Sequence, residues 1–398
     1  MSTIVSLVLA VLVSAAPVAE ANRVKPTSWG MSAQHWSNWP TVPFYGVNLS
    51  ANSTHWNHIE VEPEEYNFDY VDYVLGLADD RGGKKPMLIM GGTPDFYGNP
   101  SQGRAAVPDM AAWKRYVRLV VERYGARLDY QIWPEPGIIQ NWAGTPRQMA
   151  QITAAASRII RAVAPRATIV SGAAPLRLEG QRTWFTKFFK SKISGKPVAK
   201  FVDVVAIDPY PEMTGNPEDA RKLMLWAKKK LRQWKVTKPI WVNEINYGVK
   251  GGFDSTPYRL SKKLQAAYVT RTYVLAAAAG MKRVDWFGWF YFHEYAIHML
   301  DQQENVQRPA KALDVVYDWI NKTNVKKCRK GRGALWTCRV EKGKQVRRVY
   351  WSETGQTRTI RTHRTTQSWQ TMLGDRTKRQ GSYRLRVDAA PIMVTSRR

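Results

Sequence analysis

Short apolar runs alternate with longer amphipathic segments from about residue 43 to residue 320. A short apolar run between turn residues is typical of a buried strand, and apolar positions three or four apart are typical of a helix. The pattern predicts eight strands, at 43–49, 56–60, 86–91, 128–133, 167–171, 202–207, 239–244 and 284–290. It predicts helices at 68–80, 110–124, 146–163, 182–189, 217–234, 257–279 and 308–319.

This regular alternation of strands and helices predicts an α/β fold, a (β/α)8 TIM barrel. A doubly wound open sheet is the alternative. Such a sheet usually carries a Gly-rich phosphate turn after its first strand, and the segment Gly46-Val-Asn-Leu49 does not supply one.

The pattern changes near residue 323. The apolar runs become short and alternating, at 334–340, 347–352, 357–362, 383–387 and 392–395, with turn residues between them. Short strands at this spacing indicate a small antiparallel β domain. We therefore expect a catalytic barrel at 22–322 and a β-sandwich-like accessory domain at 323–398.

The first 21 residues resemble an export signal. Their apolar run is too short to span a bilayer and is followed by the small-x-small pattern Ala19-Glu20-Ala21. No Lys or Arg precedes the run, so a buried first strand or helix is the alternative. No later segment has 18 continuous apolar residues. We expect a secreted, extracellular or envelope-associated protein without a transmembrane segment.

Two cysteines, Cys328 and Cys338, lie in the predicted β domain. In an exported protein, such a close pair suggests a disulfide that braces a hairpin. Two cysteines without a nearby His make a zinc site improbable.

The net charge is +28, and much of it is concentrated at the C-terminal end. Residues 321–398 hold 21 Lys or Arg against 4 Asp or Glu, a local charge of +17. Such a field attracts polyanions. An exported chain meets anionic glycans or wall polymers first, and no nucleic-acid motif is present. A generally basic composition without a specific partner is the alternative. The chain is expected to be a monomer.

Two glutamates end predicted strands. Glu135 follows the fourth strand and Glu244 ends the seventh. In a (β/α)8 barrel the chemistry lies at the C-terminal ends of the strands, and a carboxylate beside a buried strand needs a partner or a task. Glycosidic cleavage uses one carboxylic acid as proton donor and one carboxylate as nucleophile or base. One such Glu alone is more often a structural ion pair.

Several segments resemble clan A glycoside hydrolases, specifically family 39 and its near relatives. Ile132-Trp-Pro-Glu135-Pro resembles the family's W-N-E-P, and Asn141-Trp-Ala-Gly-Thr-Pro resembles its F-W-x-G-T-P. Ile207-Asp-Pro-Tyr210 resembles x-H-x-Y on strand six. Further matches lie at 56–63, 66–72, 90–96, 239–244, 268–279 and 286–289, so that the resemblance covers about residues 28–320.

The resemblance implies a retaining O-glycoside hydrolase that needs neither metal nor cofactor. It makes Glu135 the general acid/base and Glu244 the nucleophile, with Tyr210 holding Glu244 ionised. Trp289 would be the floor of the subsite at the cleavage point. Because Trp and Tyr rings stack on sugars, the weaker platform candidates are Trp56, Trp133, Trp142, Tyr247 and Trp286.

Two positions depart from the family. Pro134 replaces an Asn whose amide contacts the 2-hydroxyl of the sugar being cleaved, so Asn243 or Asn246 would take that role, or the substrate lacks the contact. Asp208 stands where His is frequent, and would raise the pKa of Glu135 or bind a polar substituent. The resemblance favours an endo-acting enzyme on an extracellular or wall polysaccharide. A catalytically weak or inactive polysaccharide-binding barrel is the alternative.

Overall fold

The computed structural model describes residues 23–33, 35–50, 52–250 and 256–398. The predicted export signal therefore lies outside the described residues. Eight parallel strand positions form the barrel: β1 Trp29–Ala33, β2 Gly46–Leu49, β3 Lys85–Met90, β4 Asp129–Ile132, β5 in two pieces at Ile169–Val170 and Ala174–Pro175, β6 Val205–Asp208, β7 Ile240–Val242 and β8 Arg283–Phe287.

The strands pair in order around a closed ring. Each strand pairs with its neighbour in the chain, and β8 pairs with β1. The split strand β5 closes the circuit, because its first piece pairs with β4 and its second piece pairs with β6. This arrangement confirms the predicted (β/α)8 barrel.

In the described parts of the chain, seven helices cover the outside of the barrel: α1 Asp69–Asp80, α2 Met110–Tyr124, α3 Pro146–Val163, α4 Glu179–Lys190, α5 Pro217–Gln233, α6 Lys262–Ala279 and α7 Arg308–Ile320. Their starts follow local sequence rules. Thr145 caps α3 and Asn216 caps α5, each followed by a proline at the first helical position. No helix in the described part of the chain is long and apolar enough to cross a membrane.

One predicted barrel strand is wrong. Residues 56–60 form a helical turn, Trp56–Ile59, which leads into a short antiparallel pair, Glu60–Glu62 with Glu65–Tyr66. The true first strand is β1, for which the sequence pattern predicted no strand. All five β1 residues are buried, because a barrel strand has the barrel interior on one side and helices on the other. The pattern predicted one strand too many, at 56–60, and missed β1. The number of strands before Glu135 is therefore unchanged, and Glu135 still follows β4.

The chain changes from helix to antiparallel strands between Ile320 and Asn324. The strands are β9 Asn324–Lys330, β10 Leu335–Lys342, β11 Gln345–Ser352, β12 Arg358–Arg361, β13 Thr366–Thr371, β14 Arg376–Lys378, β15 Arg384–Val387 and β16 Ile392–Arg397. Six form a sheet in the order β9-β10-β11-β16-β13-β14, and β12 pairs with β15. The predicted β domain is confirmed, although the sequence pattern missed β9, β13 and β14.

The predicted disulfide is present. Cys328 on β9 and Cys338 on β10 are cross-strand partners and are bonded to each other. A further short antiparallel pair, Lys192–Ile193 with Lys196–Pro197, follows α4.

Candidate active site

A cavity of about 530 Å³ opens at the C-terminal end of the barrel. Residues that end barrel strands or directly follow them line it. Those that matter below are Gln131, Pro134, Glu135, Ala173, Arg177, Asp208, Tyr210, Glu212, Asn243, Glu244, Phe287 and Tyr295. The two predicted catalytic glutamates therefore share one cavity, into which both side chains are partly exposed.

The backbone that carries Glu135 is strained. Trp133 has φ +80° and Glu135 has φ +25°, a region that residues other than glycine seldom adopt. Pro134 between them packs against Gly91, where an added Cβ would lie 2.6 Å from the proline Cδ. Strain of this kind persists where surrounding structure enforces it, and it is concentrated at functional sites.

Glu135 is placed to stay protonated near neutral pH. Burial raises its pKa to about 7, and the nearby Arg177 guanidinium opposes that rise only in part. A carboxyl group with such a pKa can hold a proton at neutral pH and release it during a reaction.

Glu244 faces two opposing influences. Burial and the charge of Glu135 raise its pKa well above the ordinary value, and a hydrogen bond from Tyr210 opposes that rise only in part. The Tyr210 hydroxyl donates to Oε2 of Glu244 over 3.3 Å. Because two buried carboxylates cannot both be ionised cheaply, the pair retains a proton. The tyrosine hydrogen bond favours Glu244 as the ionised partner.

Asp208 is a third carboxyl group at the cavity. It is buried, and neither of its side-chain oxygens has a hydrogen-bond partner of normal geometry among the described residues. Burial, followed by the charges of Glu244 and Glu135, raises its pKa well above the ordinary value. A neutral Asp208 carries no charge that would raise the pKa of Glu135. Burial, not Asp208 as the sequence suggested, is the main cause of that rise.

The predicted aromatic platforms do not face this cavity. Each is almost completely buried, and none lines the cavity: Trp56, Trp133, Trp142, Tyr247, Trp286 and Trp289. All but Trp289 pack against other aromatic rings, and Trp133 Nε1 also donates to the Asn141 carbonyl over 2.6 Å. Trp289 instead borders a separate void of about 40 Å³ beside His35 and Phe290.

Among the described residues, three other aromatic side chains line the cavity, namely Tyr210, Phe287 and Tyr295. Tyr295 lies in the loop after β8, and no strand pattern marked it. The aromatic content of the sequence was therefore a poor guide to which rings a sugar would meet, since most of the tryptophans serve packing.

Of the two asparagines considered as substitutes for the missing amide, only Asn243 lines the cavity. Its Nδ2 donates to Oε1 of Gln131 over 2.5 Å, while its Oδ1 has no partner among the described residues. Asn246 is buried and its Nδ2 is occupied by the carbonyls of Phe287 and Ile297. Asn243 therefore offers a hydrogen-bond acceptor to a ligand, whereas Asn246 offers nothing to this cavity.

Arg177 and Glu212 are cavity residues that the sequence did not reveal. Arg177 follows the second piece of β5, and its guanidinium donates to the Val249 carbonyl over 3.0 Å. Glu212 follows β6 and raises the pKa of Arg177, against a larger lowering by burial. Glu135 was noticed in the sequence because it lies just after a predicted strand. Arg177 holds the equivalent position after the second piece of β5, which the sequence pattern did not predict. Among the described residues, no three His, Cys, Asp or Glu cluster to hold a metal ion.

Comparison with known proteins bears on the fold. Searches of protein-family models and of curated protein sequences found no match. Among solved structures, the chain is similar to a family 39 glycoside hydrolase from Bacteroides cellulosilyticus WH2, with a TM-score of 0.72, 16% identity, and coverage of 95% of this chain and 82% of the other.

Two further structures show the same relationship. A family 30 endoxylanase from Clostridium papyrosolvens C71 matches with a TM-score of 0.64 and 10% identity, over 94% of this chain and 97% of the other. A monomeric β-xylosidase from Caulobacter crescentus CB15 matches with a TM-score of 0.62 and 13% identity, over 89% and 90%. The predicted resemblance is thereby confirmed for the fold: this chain has the fold of clan A, family 39-like glycoside hydrolases.

Proposed function

We propose that this protein is a retaining O-glycoside hydrolase in which Glu135 is the general acid/base and Glu244 the nucleophile. The observation that carries the proposal is one cavity in which a partly exposed Glu135 with a raised pKa accompanies a Glu244 bound by Tyr210. The same fold in several glycoside hydrolases supports the assignment.

The reaction follows from the two carboxyl groups. Ionised Glu244 attacks the anomeric carbon while Glu135 protonates the departing glycosidic oxygen, which gives a glycosyl–enzyme ester. Glu135, now ionised, takes a proton from water as that water attacks the anomeric carbon, and the bond from that carbon to Glu244 breaks and releases Glu244 as carboxylate. Two displacements at one carbon return the original anomeric configuration.

The substrate proposed is a polysaccharide outside the cell, cut at internal bonds. Support comes from the sequence resemblance and from the export-like N-terminal segment. The similar structures include both an endoxylanase and a β-xylosidase, so they favour neither mode of cleavage over the other.

The decisive experiment compares the wild type with Glu244→Gln and Glu135→Gln on a panel of polysaccharides and on dinitrophenyl glycosides. Glu244→Gln should lose turnover on both. Glu135→Gln should lose turnover on polysaccharide but still release dinitrophenol, which departs without a proton, and should accumulate a glycosyl–enzyme detectable by intact mass. Glu212→Gln is the matched cavity control and should retain far more activity. Equal activity in wild type and Glu244→Gln would refute the proposal.

A weak or inactive polysaccharide-binding barrel remains the second candidate, because the proline ring of Pro134 presents no amide to the cavity. If this second candidate is correct, the wild-type protein will bind oligosaccharides but show no turnover on the same panel of substrates.

The β domain is proposed to bind anionic glycan as an accessory role. Arg361 on β12 and Arg384 on β15 are exposed cross-strand partners, and Arg386 is exposed two residues further along β15. Like charges opposite each other destabilise a strand pair, and a bound polyanion would offset that cost. Replacing these three arginines with Gln should abolish salt-sensitive retention on heparin. Unchanged retention would exclude this surface.

A further inference from the structure

A second cavity, of about 510 Å³, lies at the opposite end of the barrel. Its lining residues begin barrel strands or directly precede them. They include Ser28, Tyr45, Lys85, Asp129, Thr168, Pro239, Lys282 and Arg283, together with Arg23, Lys25, Thr27 and Trp241. Because Glu135 and Glu244 follow the ends of parallel strands, this N-terminal cavity is separate from the candidate active site.

Two ion pairs form the floor of the N-terminal cavity. Arg283 Nε donates to Oδ1 of Asp285 over 2.7 Å, and Lys85 Nζ lies 3.6 Å from Oδ1 of Asp129. The Arg283–Asp285 pair fits inside the barrel because the facing residue on β2 is Gly46, which has no side chain. A Cβ on Gly46 would lie 2.0 Å from the Arg283 guanidinium.

Arg283 has a donor left over. Only 2% of the residue is exposed, and its Nη2 has no hydrogen-bond acceptor among the described residues. The guanidinium stacks over Trp241, 4.6 Å from the ring centroid, which fixes its plane. A buried N–H of a charged group without an acceptor is costly, and an oxyanion is the ligand that a guanidinium binds best.

The rim of the N-terminal cavity adds further positive charge. Arg23 and Lys25 are exposed, and Lys282 is partly exposed. Burial lowers the pKa of Lys282, and the charge of Lys25 lowers it further, so the two ammonium groups act on each other. Of the described residues that line the cavity, Asp129 is the only acidic one. Neighbouring cations that repel each other are stabilised together by an anion that bridges them.

We propose that the N-terminal cavity binds a phosphate-type polyanion, with several phosphate groups in a chain. Arg283 would bind one phosphate group through Nη2, and Lys25, Lys282 and Arg23 would bind its neighbours. A single phosphate would leave most of 510 Å³ unfilled. A short free polyphosphate and the phosphodiester backbone of a wall polymer present the same chemistry. The inference is independent of the proposed hydrolase activity.

The test is isothermal titration of the full-length protein with inorganic phosphate, tripolyphosphate and poly(glycerol phosphate), at constant ionic strength set with NaCl. Lys25→Gln/Lys282→Gln removes two rim charges without touching the buried pairs. Lys192→Gln/Lys196→Gln removes two charges from an exposed hairpin and is the matched control. Neither double variant changes the basic β domain, so any binding of the phosphate ligands to that domain is the same in both.

At least one phosphate ligand should bind the Lys25→Gln/Lys282→Gln variant about tenfold or more weakly than the wild type and the control. Lys25→Arg/Lys282→Arg should restore the affinity. Tight binding of tripolyphosphate identifies a free polyphosphate ligand, and preference for poly(glycerol phosphate) identifies a polymer. Equal affinity in the two Gln double variants, or no binding of any of the three ligands, overturns the proposal. Hydrolytic activity should be the same in both variants.

Discussion

Trp351 of the β domain donates its indole N–H to Oε1 of Glu218 on the barrel helix α5, over 2.7 Å. The same carboxylate pairs with Arg271 on α6, where Arg271 Nε lies 3.0 Å from Oε1. Both charged side chains are almost fully buried, with 1% and 2% of their surface exposed. The β domain thus completes the hydrogen bonding of a buried ion pair in the barrel, and such pairs are stabilising only when their remaining lone pairs are satisfied.

Replacing Trp351 with Phe should therefore destabilise the whole chain. The loss of a hydrogen bond to a buried charge costs about 1.5–3 kcal/mol, beyond the smaller ring. The free energy of unfolding in urea measures this loss. Trp336→Phe is the control, because Trp336 Nε1 donates to Glu353, which is partly exposed and also paired with Lys330. Equal losses in the two variants would contradict the interpretation.

Replacing Tyr210 with Phe should impair Glu244 without unfolding the protein. The lost hydrogen bond lowered the pKa of Glu244, so its removal raises that pKa and shifts the acidic limb of the pH profile of kcat/KM to higher pH. We expect kcat to fall roughly 10- to 100-fold, which corresponds to one hydrogen bond to a charged group.

The control for this shift is Tyr247→Phe. Tyr247 is equally buried, but its hydroxyl contacts Thr272 at 2.6 Å, not a carboxylate of the cavity. That variant should lose stability and keep the pH profile of the wild type. A profile that moves equally in both variants would show that Tyr210 has no specific effect on Glu244.

Asp208→Asn should stabilise the protein at neutral pH. The pKa of Asp208 is raised in the folded state, so folding holds a proton that the unfolded chain releases above its ordinary pKa, near 4. The destabilisation of the folded state by Asp208 is therefore absent at low pH and grows as the pH rises. Thermal denaturation should give similar Tm values for variant and wild type near pH 4, and a higher Tm for the variant at pH 7.

Asp301→Asn provides the opposite case. Asp301 is partly exposed and accepts backbone hydrogen bonds from Asn305 and Gln303, which lower its pKa. Its favourable contribution is present above the ordinary Asp pKa and is lost as the pH falls. That variant should be less stable than wild type at neutral pH. A gain from Asp208→Asn that does not depend on pH would exclude the titration argument.

Pro134→Asn should raise activity if the missing amide limits the enzyme. An added donor to the 2-hydroxyl that strengthens in the transition state by about 1.4 kcal/mol gives a tenfold rise in kcat/KM. The glycine at position 91 packs directly against this position and brings no side chain of its own. Steady-state kinetics on the preferred glycoside measure the effect, and Pro136→Asn is a neighbouring control. No gain would indicate that Asn243 or the substrate already compensates.

The alternation of apolar runs and amphipathic segments was sufficient to predict the barrel, because seven of the eight strand positions lie in short runs rich in apolar residues, with a helix pattern between most of them. The first strand was missed because Trp29-Gly-Met-Ser-Ala33 is short and contains three small residues. Gly30 is required there by the tertiary structure, since a Cβ would overlap Asp285 of β8. Local sequence cannot report such a long-range steric demand.

The sequence by itself determined that Glu135 and Glu244 would follow β4 and β7, since strand order in a parallel barrel sends both to the same face. Only the tertiary structure decided which rings, amides and cations surround them. Barrel strands are buried on both sides, so an apolar or aromatic residue gives no sign of whether it faces the cavity or the helices. For that reason Trp133 and Trp289 proved to be buried packing residues, whereas Arg177, Tyr295 and the Arg283 cavity became visible only when distant strand ends were brought together.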